Sequence, residues 1–308
     1  MSEYIDKHSL FLEPRTKQYG SHMVMTNVQK PMKTKYINID TRFRDEYTTL
    51  QTTNYNITMP ERTTDVHSIR VCNIELPNAY YNLSDNLRNN RLRIVSGSNV
   101  EEIVVPDGQY TAASLQAELN EKFRVSAYGQ NLTITLGATN KSSVSLSSGD
   151  ALTLNFSSDS SVCSEVSDKY NVKMSLGWQL GFRTLTQEIT VAASPVSSYA
   201  PLDLHGPRYL YLAVEEYGKG NPNSFQSPMP SSQINKNILA RITLDPTQYP
   251  YGSTLPANTY NGFLLSDVRS YSGKVDLQRL NVQILNEVGV PMALNGAEFS
   301  FCLEVAHE

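Results

Sequence analysis

The side chains here that could do chemistry are the histidines, the cysteines, a Gly-flanked lysine and the serines, and their spacing is the first test. The five histidines, His8, His22, His67, His205 and His307, never fall at metal-ligand spacing with Cys, Asp or Glu. Surface or loop histidine is the simpler expectation, and no metal site is proposed. Three cysteines, Cys72, Cys163 and Cys302, are an odd number at wide spacings without a CxxC pair. That argues against a disulfide framework and a zinc site and points to a reducing compartment. Lys219 lies between Gly218 and Gly220, but the Gly-x4-Gly-Lys-Ser/Thr pattern and its strand-to-helix setting are missing, so a flexible turn is expected. There is no Gly-x-Ser-x-Gly elbow, and order and spacing suggest no Ser/His/Asp set. No catalytic, cofactor-binding or metal-binding residue emerges, and a non-enzymatic protein is expected.

Two other groups could serve recognition. Arg42 and Arg44 beside Asp40, Asp45 and Glu46 could form an ion-pair cluster between subunits, although alternating charges after a strand are more often a solvated loop of little energetic weight. The 18 tyrosines would suit a carbohydrate- or receptor-binding surface, yet core and strand propensity account for most of them. Asn-x-Ser/Thr triplets at Asn56, Asn82, Asn131, Asn140 and Asn155 fit a β-rich composition and are expected to be unglycosylated, because the N-terminus lacks the pattern of a secretory signal.

The elements that position these residues read mainly as β. At 308 residues and 40% hydrophobic, the chain can bury a full core. The net charge of −4 divides into +3 on residues 1–35 and −7 on the rest, too mild and dispersed for nucleic-acid binding. No apolar run approaches a membrane span, and synthesis in the cytosol is expected. Residues 1–35 lack a steady period and read as an extended arm. Short strands follow at Tyr36–Asp40 and Tyr55–Pro60. In Val66–Leu76 the apolar phase changes, which requires either a bulge at Val71/Cys72 or a strand covered on both sides.

Beyond it, Thr111 caps a helix whose Leu115, Leu119 and Phe123 share one face. Leu132–Leu136, Val144–Leu146 and Leu152–Phe156 alternate as a small antiparallel meander, and Leu176–Phe182 folds back through Gly177 and Gly181. Arg208–Val214 is apolar on both phases, as in a doubly covered strand. A long polar loop occupies 218–236. In Leu280–Ile284 and Phe299–Val305, Leu280, Val282, Ile284, Phe299, Phe301, Leu303 and Val305 face inward while Cys302 faces outward.

Ile39-Asp40-Thr41-Arg42-Phe43-Arg44-Asp45, Tyr55-Asn56-Ile57-Thr58-Met59-Pro60 and Ile74-Glu75-Leu76-Pro77-Asn78-Ala79-Tyr80-Tyr81 together resemble the opening of minor capsid proteins of large icosahedral nucleocytoplasmic DNA viruses. Val105–Thr111, Leu176–Phe182, Ile238–Ile242 and Leu280–Ile284 leading to Phe299–Phe301 are similar to later segments of that family. The resemblance implies a structural protein beneath or between capsomers, with no catalysis and no cofactor. The implied partners are the major capsid protein and other minor capsid proteins, with self-association and a nearby membrane both compatible and no direct nucleic-acid binding. The implied location is the virion shell, assembled in the host cytoplasm.

The expected fold is mainly β: a jelly-roll-like antiparallel sandwich formed by 36–99 and 186–308, with a small α+β unit inserted at 100–185 and an N-terminal arm at 1–35. The alternative function is a virion attachment module that binds a receptor or glycan.

Overall fold

The computed structural model describes residues 31–48, 51–137, 139–157, 171–216 and 237–308. The chain runs through β1 (Lys33–Asp40), β2 (Asn54–Pro77), β3 (Arg91–Ser96), β4 (Asn99–Val104), α1 (Ala112–Val125), β5 (Leu132–Leu136), β6 (Ser142–Leu146) and β7 (Leu152–Asn155). It continues through α2 (Asn171–Met174), α3 (Leu176–Gln179), β8 (Thr186–Ile189), β9 (Val196–Ser197), β10 (Tyr209–Glu215), β11 (Ile238–Thr243), β12 (Thr254–Asn258), β13 (Leu264–Ser266), β14 (Arg269–Leu285) and β15 (Ser300–His307). Most of the expected arm and the whole 218–236 loop lie outside the described residues, while Lys33–Lys35 already belongs to β1.

The principal sheet has eight strands in the order β1-β15-β2-β14-β10-β11-β13, with β12 also on β2. Its axis is β2, a single 24-residue strand where the sequence suggested two. Continuity needs a sharp bend, which Asp65 supplies with φ of 54°. β14 pairs with β2 on both sides of the bend, from Asn54 to Ile69, and absorbs the turn through register shifts between Ser270 and Arg279; beyond the bend β15 and β12 also pair with β2. Bends and bulges of this kind let one strand serve both layers of a sandwich. The far end of the strand order returns to β2: Val71 N–H donates to Ser266 Oγ at 3.0 Å, and Ser266 Oγ donates to the Leu239 carbonyl at 3.2 Å. The result is a jelly-roll-like antiparallel sandwich with a small helical insert.

The phase change in β2 is a bulge. Cys302 pairs with Asn73 and Leu303 with Val71, so Cys72 is left over, and Ile69, Val71, Ile74 and Leu76 all reach the same core. Leu280, Val282, Ile284, Phe299, Phe301, Leu303 and Val305 are buried, and Cys302 is half-buried on the opposite face. In β10, Leu210, Leu212 and Val214 enter this core while Tyr211 and Ala213 join a small cluster with Ile238 and Leu285, so the strand is covered on both sides.

A second apolar cluster runs from Leu83 to Ile189, spanning 100–185 and extending past it at both ends. Thr111 and Ser114 form a reciprocal cap on α1, and Leu115, Leu119 and Phe123 are fully buried. The expected meander does not form as such. β5 pairs with β6 and β6 with β9, but β7 crosses to a different sheet of order β4-β3-β7-β8. Alternation sets which side chains face inward and says nothing about which strand lies alongside. Gly177 packs on the Phe156 ring, where a Cβ would come within 2.4 Å of Cγ. Gly181 has φ of 90° and faces the Ala200 carbonyl, where a Cβ would lie at 2.1 Å.

Candidate functional site

The site begins with the stretch that follows β1. Asp40 ends the strand and caps a 3-10 turn, Thr41–Phe43, by accepting from Arg42 N–H at 2.9 Å and from Arg42 Nε at 3.0 Å. The hydrogen-bonded Arg42 guanidinium holds the Asp40 carboxyl below its ordinary range, against the opposing effect of burial. Arg44 turns the other way. Its side chain is buried, with Nη1 donating to the Thr41 carbonyl at 2.7 Å and to both Glu298 oxygens at 2.9 Å. Thr41 Oγ1 donates to the same carboxylate. Asp45 ties the turn to β2: its N–H donates to the Asn56 carbonyl at 2.9 Å, and its carboxylate accepts from Thr58 N–H at 2.8 Å.

Arg42, Arg44 and Asp45 thus each have a partner within the chain; Arg44 is buried, while the Arg42 side chain stays 68% exposed. Phe43 is left over. Three tethered neighbours hold its ring 72% exposed. A single exposed ring is ordinary by itself; here it adds apolar surface beside a groove.

Phe43 stands on the rim of a groove of about 500 Å³ between β1 and the first part of β2. Ile37, Ile39, Ile57 and Met59 line it, because alternation turns these side chains toward the space between the two layers. Lys35 closes one end, with Nζ 3.1 Å from Glu61 Oε2 and 3.4 Å from Thr63 Oγ1. Tyr36, 64% exposed, stands on the outer face of β1 beside the opening. Among the described residues β1 is the edge strand of the sheet, paired with β15. An edge strand over an apolar slot can accept another extended chain by backbone pairing and side-chain insertion.

No family model matches the chain, and no curated protein does. Among solved structures, the mavirus penton protein is similar with a TM-score of 0.42 and 10% identity, over 90% of this chain and 99% of that one. A chain from the Sputnik virophage structure is similar with a TM-score of 0.41 and 10% identity, over 90% of this chain and 98% of its own. At that level of likeness neither carries a role over to this chain.

The remaining sequence candidates fall apart in space. His67 Nε2 is 3.0 Å from Glu308, His205 Nδ1 is 3.0 Å from Asp203, and His307 meets the Glu308 carbonyl at 3.2 Å. His8, His22, Cys163 and Lys219 lie outside the described residues. Among the described residues there is no cluster of three or more His, Cys, Asp or Glu that could hold a metal. Burial and the adjacent Glu304 carboxylate push the Cys72 thiol up to about 11, so it is protonated and unreactive at neutral pH. Asn82 is buried and bonds both to the Tyr110 backbone and to the Leu204 carbonyl, so it is a structural hub and no surface acceptor.

A second hollow, about 470 Å³, opens between the two large cores. Trp178 and Tyr209 supply aromatic surface there and Asn89, Asp203, Arg208 and Glu287 supply polar groups. Arg183 stacks on Trp178 at 3.9 Å. Spacing along the chain gave no hint of this hollow, since its lining comes from segments far apart in sequence.

Proposed function

We propose that this chain is a structural component of a viral shell, a minor capsid protein that bridges or underlies major capsomers and works by binding rather than catalysis. One observation carries the proposal: the residues that bear the resemblance, Ile39 to Asp45 and Tyr55 to Pro60, build the aromatic-rimmed groove and its knuckle. Arg44 and Asp45 hold the backbone while Phe43 faces outward, an arrangement suited to holding a neighbour. Stable protein contacts usually remove on the order of 1,200–2,000 Å² from water, so the groove would form the apolar centre of a wider interface.

The test is whether the chain co-purifies with intact virions and stays with the shell after gentle disruption. Phe43→Ser should leave the fold intact and lower incorporation. Release of the wild-type chain with the soluble fraction would overturn the proposal. The Trp178–Tyr209 hollow favours a second reading, attachment through a glycan, because aromatic faces beside carboxylates and amides suit sugar hydroxyls and ring faces. Saturable binding of the purified chain to host-surface glycans, lost in Tyr209→Ala with shell incorporation unchanged, would put that reading first.

A further inference from the structure

We infer that the groove between β1 and β2 receives residues 9–13 of a second copy of this chain, with Leu10 and Leu12 inserted and Phe11 against Tyr36. The inference rests on the shell reading and names the groove's occupant. The groove presents Ile37 and Ile39 on its inner side and the 64% exposed Tyr36 on its outer side. A strand added along the free edge of β1 must match that alternation: aliphatic inward, aromatic outward. In residues 1–30, Ser9-Leu10-Phe11-Leu12-Glu13 has this order, two aliphatic side chains flanking one ring. Met23-Val24-Met25 offers no ring for Tyr36.

The position of β1 argues for exchange between copies. The described chain begins at Pro31, just ahead of β1 and beside the Lys35 end of the groove. If Leu12 sat in the groove of its own copy, about twenty residues from Glu13 to Met32 would form a loop, and loops of that length without patterned structure are uncommon in compact domains. As a tether between copies the same residues span up to about 65 Å when extended. A self-made hairpin directly into β1 is disfavoured as well, because Lys30-Pro31-Met32 has none of the Gly, Asn or Asp that two-residue hairpin turns need.

The experiment uses the full chain with a photo-reactive benzoylphenylalanine in place of Phe11, mixed with nitrogen-15-labelled chain of the same kind and irradiated. Cross-linked peptides that join residue 11 of one isotope to residues 33–43 or 55–63 of the other are expected. Leu10→Asp with Leu12→Asp should lower that yield about tenfold or more, as should Tyr36→Ser on the outer face of β1. Cross-links confined to chains of one isotope would overturn the exchange. Cross-links that avoid both groove strands, or a yield unmoved by the variants, would overturn the site. Purified chain suffices, so a shell component that showed no mixed-isotope product would lose this inference and keep its proposed function.

Discussion

Arg269 and Glu216 meet with neither side chain exposed, at 3.1 and 3.2 Å, while Arg269 Nη1 also donates to the Val214 carbonyl at 2.9 Å. Tyr271 Oη donates to the same carboxylate, and burial first, then that charge, raises the phenol's pKa. A buried pair of this kind is costly to break from one side, because the surviving charge stays in a poorly solvating interior. Arg269→Ala should therefore cost about 3–5 kcal/mol in urea unfolding, whereas Arg269→Met combined with Glu216→Gln should cost far less. A sequence reading passes over this pair, because the partners are 53 positions apart.

Asp40 gives a pH-dependent counterpart. Its pKa is lowered in the fold, so its stabilising contribution is complete above the ordinary value of 3.8 and is lost as pH falls through the lowered one. Thermal melts of Asp40→Asn should show a flatter acid limb below about pH 4 than wild type, with the two curves parallel above it.

At the scale of elements, β15 shows why some strands can be read directly. Phe299, Phe301, Leu303 and Val305 alternate with polar residues and all four are buried, with Phe301 stacked against Phe299 at 6.3 Å. Phe301→Ala should cost about 3–5 kcal/mol in denaturant unfolding. A change below about 1 kcal/mol would place the strand in the opposite phase. Helix α1 was equally legible, since its cap and its four-residue apolar spacing are local signals. The third strand of the expected meander was not. β7 finds β3, more than fifty residues earlier, and β8, rather than the adjacent β6. Local alternation is identical for either partner, and Leu152 and Leu154 enter an apolar cluster to which both β3 and β6 contribute.

For the whole molecule, the groove at the free edge of β1 leads to a prediction about the arm. If the arm docks on neighbouring copies in a shell, trypsin should cut after Arg15 or Lys17 readily in the dilute free chain and slowly in the particle. Equal cutting in both states would remove the arm from assembly.

The amino-acid sequence by itself determined the periodic content of this protein: mainly β, one capped helix, which face of β14 and β15 is apolar, and the bulge option at Val71/Cys72. Those properties depend on side chains a few positions apart, so they are written locally. Only the tertiary structure decided that β2 is one bent strand shared by both layers, that Ser266 brings the strand order back to β2, and that Arg44 anchors on Glu298, 254 positions away. The groove belongs to the same class. Ile37 and Met59 become neighbours of one space only because β15 holds β1 against one half of β2 while the bend at Asp65 returns the other half across it. Pairings of that range are selected by the total burial of the folded chain, and no short window of residues encodes them.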